Sequence, residues 1–366
     1  MNNINRPVVA IAGASGQIGQ HLLNKITKTA NVIALSRSAH NQTDTEHVVW
    51  RSCDFFSPRD AEQGLEGADF AVYMIHSLTS SATLTQAAFS DTEVLLADNF
   101  ARAAKRNGIK QIIYMRAAVP KHELERTFHL KSRLEVEKIL HSYGIPVRTV
   151  RTGLIIGTKI LSLPAPSKLI ERLPSWTRTL KEVLKLPWDN HYWNSHLQDL
   201  DLPRASKSTP AFPPNVRSVQ RVLLPKGRDA DWAGKHYFHW LAGLANPLIT
   251  IEADVQRNYS IFLGLMKGPI LEIRFIPDYS YRTRALYFIS GGTLARITND
   301  RHCRLEFRQI PGSQECIIAI HDYQPALPWY LYKYTQADIH LLVMYLYKKH
   351  LYRLMNDKQK CLLARN

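Results

Sequence analysis

The chain has 366 residues, of which 45% are hydrophobic and 10% aromatic, which is enough to bury the cores of two domains and excludes a disordered protein. Its formal net charge is +16, and residues 161–366 carry 28 of the 47 Lys and Arg residues but only 17 of the 31 Asp and Glu residues. The basic residues are scattered and no nucleic-acid-binding motif accompanies them, so we interpret the charge as a basic surface and expect no nucleic-acid partner.

The cysteines and the apolar runs indicate the cellular compartment in which we expect the protein. Cys53, Cys303, Cys316 and Cys361 show neither Cys-x-x-Cys spacing nor a Cys/His metal pattern, which predicts reduced thiols and no metal site. The first apolar run, residues 7–12, has the pattern of a strand and not of a signal peptide. The later apolar runs are too short to cross a bilayer. We therefore expect a cytoplasmic protein, and the sequence leaves its oligomeric state open.

Strand-like and helix-like segments alternate from residue 7 to about residue 157. This alternation predicts a parallel sheet covered by helices, a doubly wound α/β domain. The predicted strands cover residues 7–12, 31–35, 47–53, 69–75, 111–115 and 146–150, and the predicted helices cover residues 17–28, 58–65, 92–106 and 128–143.

A glycine-rich loop follows the first predicted strand. Gly13, Gly16 and Gly19 have the spacing that turns the chain tightly, lets its backbone approach a phosphate and packs the next helix on the strand. The N-terminus of that helix offers N–H groups and the positive end of its dipole to an anion. The order of strand, loop, helix and second strand predicts a dinucleotide site, formed by Gly13, Ser15, Gly16, Gln17, Ile18 and Gly19.

The end of the second predicted strand indicates which dinucleotide binds. An NAD site has a carboxylate there for the ribose 2′-hydroxyl, but this chain reads Ala34-Leu-Ser-Arg-Ser38. Arg37 has the chemistry to pair with a 2′-phosphate, and Ser36 and Ser38 add hydroxyl groups. These residues favour NADP(H) over NAD as the cofactor. In the alternative interpretation Arg37 is a solvated cation at a strand end.

Composition changes after residue 160. Prolines and tryptophans recur between residues 161 and 228, and we interpret the first part of this segment as an irregular elaboration of the first domain. Residues 206–215 form the best candidate linker. The predicted domains are therefore residues 1–205 and 216–366.

Beyond about residue 229 the pattern becomes β-rich and ends in a helix. The predicted strands cover residues 271–275, 284–289, 304–310 and 316–321, and a helix covers residues 327–355. One face of this helix is apolar, and Lys348, Lys349 and Arg353 lie on the other. The pattern predicts an α+β domain in which a curved antiparallel sheet wraps around a long terminal helix.

The N-terminal half resembles extended or atypical short-chain dehydrogenases/reductases, the group that includes sugar-nucleotide epimerases. The resemblance implies a Rossmann fold that binds NAD(P), with Asp54 and Phe55 near the adenine and His76 and Ser77 near the nicotinamide ribose. The stretches that carry it are Gly13-Ala-Ser-Gly-Gln-Ile-Gly19, Ala34-Leu-Ser-Arg37, Cys53-Asp-Phe55, Asn99-Phe-Ala-Arg-Ala-Ala104, Gly108-Ile-Lys-Gln-Ile-Ile-Tyr114 and Val150-Arg-Thr-Gly-Leu-Ile-Ile-Gly157.

The chain departs from the family at the catalytic Tyr-x-x-x-Lys pair. By position that pair corresponds to His129 and Arg133, and the family's serine falls in Met115-Arg-Ala117, which has no hydroxyl group. In one interpretation His129 transfers the proton, Arg133 orients ribose or phosphate, and His76 or Arg116 assists. The protein is then an NADP(H)-dependent oxidoreductase acting on an apolar carbonyl, quinone or enone. In the other it binds NADP(H) without turnover, as a sensor.

The second half resembles, more weakly, the helix-grip fold of START and Bet v 1-like ligand carriers, through residues 305–308, 319–325 and 327–334. The resemblance implies a cavity for a small hydrophobic or amphipathic ligand. Arg284 and His321 are the most informative candidates, because a buried ion needs a partner or a ligand. A peripheral carrier in weak contact with an anionic membrane is a third alternative. The expected lining residues are Phe275, Arg284, Phe288, Phe307, His321, Tyr323 and Tyr334.

Overall fold

The computed structural model describes residues 6–75, 84–117, 128–152, 216–244, 246–264, 266–297 and 303–363. The chain divides into two compact units, one of residues 1–77 and 93–209 and the other of residues 78–92 and 210–366. The domain boundary and the linker predicted near residues 205–216 lie outside the described residues, except for residue 216 itself.

The first unit is built on a parallel sheet of six strands in the order β3-β2-β1-β4-β6-β7. The strand order reverses beside β1, so the crevice at the carboxyl ends of β1 and β4 is where such a fold binds its ligand. The strands are β1 (Val8–Ala12), β2 (Asn31–Ser36), β3 (Val48–Ser52), β4 (Phe70–Tyr73), β6 (Gln111–Ala117) and β7 (Val147–Thr152).

Helices alternate with these strands, as the sequence predicts, and the predicted α/β class with a six-stranded parallel sheet is confirmed. Val9, Ile11, Leu22 and Val32 form part of a fully buried core between β1, β2 and the first helix. Burial of such side chains stabilises the fold by about 1.5–3 kcal/mol each. The helices are α1 (Gln17–Ile26), α2 (Pro58–Leu65), α3 (Phe89–Arg106), whose residues from Glu93 onward belong to this unit, and α4 (Phe128–His141).

The second unit is built on an eight-stranded sheet in the order β5-β8-β14-β13-β12-β11-β10-β9. Its neighbouring strands are antiparallel except for β5 and β8, which are parallel. The strands are β5 (Leu84–Ala87), β8 (Val216–Leu223), β9 (Ile249–Ala253), β10 (Tyr259–Leu263), β11 (Pro269–Phe275), β12 (Arg284–Gly291), β13 (Arg304–Gln309) and β14 (Glu315–Tyr323).

Within its described residues this unit holds the helices α5 (Ala230–Leu244), α6 (Trp329–Tyr334) and α7 (Gln336–Leu363), together with the first four residues of α3. The sequence predicted a β-rich pattern from residue 229, and α5 corrects it. Its aromatic residues are typical of strands, but its buried positions, among them Ala233, Tyr237 and Leu241, recur with the period of a helix. The single terminal helix predicted from residue 327 is divided at Thr335, which has non-helical backbone angles.

The two faces of the second sheet carry different chemistry. Phe307 pairs with Ala285 on the face whose core includes residues of α5 and α7, whereas the neighbouring pair Arg308 and Arg284 points to the opposite face, because side chains alternate along a strand. His321 pairs with Arg304 and lies on the Arg284 side. Six of the seven residues predicted to line one cavity are therefore divided between the two faces of the sheet, and Tyr334 lies exposed on α6, which corrects that expectation. The helix-grip assignment itself stays a prediction.

Among the residues that the structure describes, no helix combines the length and the apolarity needed to cross a membrane.

Candidate cofactor site

The glycine loop connects β1 to α1 in a tight turn. Gly13 has a φ of +95°, which favours glycine, and a Cβ there would lie 3.1 Å from the backbone oxygen of Met74. The Gly16 N–H donates to the Gly13 carbonyl over 3.1 Å. A Cβ on Gly19 would come within 2.6 Å of the Ala14 carbonyl oxygen, so glycine lets α1 approach the loop closely. The loop thus forms the cradle at a helix N-terminus that a pyrophosphate fits.

Three serine hydroxyls meet at the carboxyl ends of β1 and β2. The Ser36 hydroxyl donates to Ser15 Oγ over 2.9 Å, and Ser36 Oγ lies 3.1 Å from Ser38 Oγ. The Ser38 N–H donates to Ser36 Oγ over 3.1 Å. These bonds tie the glycine loop to the end of β2, where the adenosine ribose of a Rossmann cofactor lies.

Arg37 lies beside this serine cluster and is exposed. Within the described part of the chain, no hydrogen bond or ion pair holds its guanidinium. The neighbouring residues at the end of β2, Ser36 and Ser38, offer hydroxyl groups and no carboxylate. The end of β2 therefore carries an exposed cation and hydroxyl groups, which suit an anionic group.

Asp54 and Phe55 follow β3, where the resemblance implied contact with adenine. Asp54 Oδ1 accepts a bond from the Phe56 N–H over 3.1 Å. Phe55 is buried, its ring lies 5.6 Å from that of Phe100, and its carbonyl accepts from Asn99 Nδ2 over 2.7 Å. The Phe55 side chain is a core residue, so any contact with adenine would be made by Asp54 or by backbone groups.

Arg133 lies on α4 one turn after His129 and is held in an ion pair. Its Nη1 lies 3.0 Å from Oε2 of the fully buried Glu93. The Tyr114 hydroxyl donates to the Arg133 carbonyl over 3.3 Å. Burial raises the pKa of the neighbouring Tyr73 hydroxyl, and the charge of Glu93 raises it further. The ion pair thus joins α4 to α3, and the Tyr114 hydrogen bond joins α4 to β6.

The other predicted catalytic residues fall outside the described parts of the chain. The structure describes the backbone of His129 within α4 and of Arg116 within β6, but not their side chains; His76 and Ser77 are not described at all. The Gln17 side chain is likewise outside. Their roles stay predictions. Glu93 was missed by the sequence reasoning: Asp91 and Asp98 lie within five residues of it on the same helix, and no local pattern distinguishes it from them.

Two buried arginines of the second unit share one carboxylate of the protein. Arg284 Nη2 lies 2.9 Å from Glu306 Oε2, and Arg308 Nη2 lies 3.4 Å from the same oxygen. Burial alone would raise the pKa of Glu306, but Arg308 and Arg284 outweigh it and hold that pKa below its ordinary value. Burial lowers the pKa of His321, which keeps its ring neutral. The partner of Arg284 is thus a carboxylate of the protein.

Neither thiol nor metal chemistry is indicated in the described residues. Cys53, Cys303 and Cys316 are free and buried, and burial raises the pKa of each thiol. Among the described residues, no three His, Cys, Asp or Glu side chains are grouped so that they could hold a metal ion.

The sheet order, the glycine loop and the helix N-terminus that follows it are those of a Rossmann-like α/β domain. Residues 13–148 match the family model described as NAD(P)H-binding. Over 343 residues the chain is 25% identical to the auxiliary protein GraX of Staphylococcus aureus, and the match covers 93% of this chain and 92% of that protein.

Two solved structures are similar to part of the chain. One is a nucleoside-diphosphate-sugar epimerase from Staphylococcus aureus, 19% identical with a TM-score of 0.35, covering 48% of this chain and 56% of that one. The other is an NADPH-dependent quinone oxidoreductase from Escherichia coli, 18% identical with a TM-score of 0.33, covering 44% and 54%. The chain thus spans little more than half the length of these two structures.

Proposed function

We propose that the protein is an NADP(H)-dependent oxidoreductase of the short-chain dehydrogenase type, with an apolar carbonyl, quinone or enone as its substrate. The observation that carries the proposal is the exposed Arg37 beside the linked hydroxyls of Ser15, Ser36 and Ser38. The glycine cradle supports it, because a Cβ on Gly13 or Gly19 would fill the space that the turn and α1 use.

The charge at the end of β2 distinguishes the two dinucleotides. A 2′-phosphate needs a cation and hydrogen-bond donors, which Arg37 and Ser38 provide, and a carboxylate there would repel it. A guanidinium binds a phosphate through two parallel N–H groups, which makes the interaction selective as well as strong. The proposed cofactor is therefore NADP(H).

The proposed chemistry lies on α4. NADP(H), when bound, supplies or accepts a hydride. His129 would donate or accept the proton, because the pKa of an imidazole lies near neutral pH. Arg133, one turn later on the same helix, would hold His129 and the ribose in position through the anchor that it forms with Glu93. A small hydrophobic or amphipathic ligand is proposed separately for the second unit.

The same ion pair favours a second candidate function. In the family the lysine of the catalytic pair is available to the ribose, whereas Arg133 Nη1 is bound to a buried carboxylate 3.0 Å away. An arginine used in this way builds structure and leaves fewer donors for a cofactor. The second candidate is a protein that binds NADP(H) without turnover and reports its redox state to a partner.

Cofactor binding is tested by calorimetric titration with NADPH, NADP⁺, NADH and NAD⁺. We expect NADPH and NADP⁺ to bind most tightly. Arg37→Ala should weaken their binding by about 10- to 100-fold, the value of a charge-assisted hydrogen-bonded pair, and leave NADH unchanged. Arg59→Ala, which removes an exposed arginine of α2 in the same unit, is the matched control. Equal affinity for NADH and NADPH in the unaltered protein would contradict the NADP(H) assignment.

Turnover is tested on the NADP(H)-loaded protein with a panel of quinones, enones and apolar aldehydes. The oxidoreductase predicts oxidation of NADPH, a loss of at least about 100-fold in kcat with His129→Ala, and unchanged NADPH affinity. Tight binding of NADPH with no oxidation by any member of the panel, and no effect of His129→Ala, would support the sensor instead.

A further inference from the structure

An unusual share of the exposed apolar surface lies on α6 and α7. Fifteen large hydrophobic side chains are exposed among the residues that the structure describes, and eight of them lie between residues 330 and 352. These eight, four tyrosines and four leucine or isoleucine residues, are 38–71% exposed. Exposed apolar side chains concentrated on two consecutive helices indicate a surface at which the protein binds a partner.

Three of the five exposed large apolar side chains of α7 lie in a stripe opposite its buried face. Ala337, Met344, Tyr347 and Leu351 are buried in the core of the second unit. The opposite side of the helix presents the residues that we call the outer helix face: Leu342, Tyr345, Lys349, Tyr352 and Arg353. Their spacing of three and four residues places them along one line of an α-helix.

Positive charge is interleaved with this stripe. The described helices α6 and α7 carry four exposed basic residues up to residue 356, namely Lys333, Lys348, Lys349 and Arg353, against the single acid Asp338. The second half of the chain also holds most of the net charge of +16. The occupant of the outer helix face should therefore be both apolar and anionic.

We propose that the outer helix face lies on an anionic lipid surface. Tyrosine rings are amphipathic and settle at the level of lipid headgroups, and Lys and Arg side chains extend from there to phosphate groups. The core of a protein–protein interface is instead depleted in lysine, which fits this lysine-bearing stripe poorly. Helices that lie in a membrane interface combine basic residues with aromatic and leucine side chains in this way. The proposal goes beyond the cofactor site and does not depend on it.

The test is flotation of the full-length protein with phosphatidylcholine vesicles that contain or lack phosphatidylglycerol. We expect binding only to the anionic vesicles, decreasing as salt is raised, since each basic residue near the surface strengthens binding roughly fivefold. The double variant Lys349→Glu/Arg353→Glu should weaken binding by at least about 25-fold. Leu342→Ser/Tyr345→Ser should weaken it about tenfold or more through lost apolar contact.

Matched controls test whether vesicle binding depends on the outer helix face or only on net charge and exposed apolar side chains elsewhere. Arg274→Glu reverses an exposed charge on β11, and Val255→Ser removes an apolar side chain that is 99% exposed. Both should bind vesicles like the unaltered protein, and all four variants should keep the NADPH affinity of the unaltered protein. Absence of vesicle binding, or equal loss in the control variants, would overturn the proposal. Binding that is unaffected by salt and lost only in Leu342→Ser/Tyr345→Ser would overturn its electrostatic part.

Discussion

Gly16 and Gly19 have different roles in the glycine loop. Gly16 has an extended backbone, and a Cβ there would meet only the Gly13 oxygen, at 3.3 Å, so Gly16→Ala should fold normally. The added methyl group would occupy the place where the backbone meets the pyrophosphate, so NADPH affinity should fall at least about tenfold. Gly19→Ala would push α1 away from the loop and should destabilise the first unit by about 1–3 kcal/mol. Denaturant titration and calorimetry on both variants measure the two effects, and a Gly16→Ala protein with full NADPH affinity would contradict the assignment of the loop.

A second residue-scale prediction concerns the buried charges of the second unit. Glu306→Gln leaves the guanidinium groups of Arg284 and Arg308 buried without their shared carboxylate. Breaking a buried ion pair in this way costs about 3–5 kcal/mol, and chemical denaturation should show that loss. Glu252→Gln, on an exposed position of β9, is the control and should change the free energy of unfolding by less than about 0.5 kcal/mol.

At the scale of elements, one histidine on α5 and one on α7 make the stability of the second unit depend on pH. Burial lowers the pKa of His340 to about 4, and burial together with the charges of His350, His239 and Arg228 lowers that of His236 to about 4. His340 Nε2 hydrogen-bonds Ser218 Oγ of β8 over 3.0 Å, and His236 Nδ1 lies 3.3 Å from the Tyr347 hydroxyl of α7.

The sign of the pH effect follows from these shifts. Between pH 4 and about pH 6.5 the unfolded chain binds protons that the folded unit does not, so the stability from these histidines is complete above about pH 6.5 and is lost as pH falls toward 4. The melting temperature should therefore fall over this range. His340→Asn should reduce the slope, and His40→Asn, at an exposed position of the first unit, should not. An equal slope in both variants would show that other groups cause it.

Most helices and strands of the first unit could be predicted from the sequence, whereas several of the second unit could not. The strands and helices of the first unit lie within about three residues of their predicted bounds, because they are periodic apolar runs and several of them end near a glycine, as at Gly13, Gly108 and Gly144. Five elements of the second unit were missed, namely α5, β5, β8, β9 and β10, and three of them for a clear physical reason. The aromatic residues of α5 resemble a strand, and β5 becomes a strand only by pairing with β8, more than a hundred residues later in the chain. Such a distant pairing leaves no local pattern. The third, β8, adjoins the proline-rich segment that masks its strand pattern.

Some features of the candidate site could likewise be predicted from the sequence, and others could not. The glycine loop and the Ser36-Arg37-Ser38 run are local motifs, and the structure brings Ser15 Oγ of the loop to 2.9 Å from Ser36 Oγ. The Arg133–Glu93 pair joins residues forty positions apart on two helices, and nothing local in the sequence indicates that Arg133 has this partner. Arg284 and His321 were correctly singled out as buried, but the partner of Arg284, Glu306, lies on the next strand of a sheet whose register only the structure gives.

At the scale of the whole molecule, the chain has two units with separate cores, and only the first carries the candidate cofactor site. Binding of NADPH at 100 times its Kd should stabilise the first unit by about 2.7 kcal/mol, because a ligand that binds only the folded state shifts unfolding by mass action. Hydrogen exchange followed by mass spectrometry resolves this effect. Amides of β1, β2 and α1 should exchange about 100-fold more slowly with NADPH, and those of β12 and β13 should keep their rates. Equal slowing in both units would mean that the units unfold together, whereas slowing in neither would contradict the cofactor site itself.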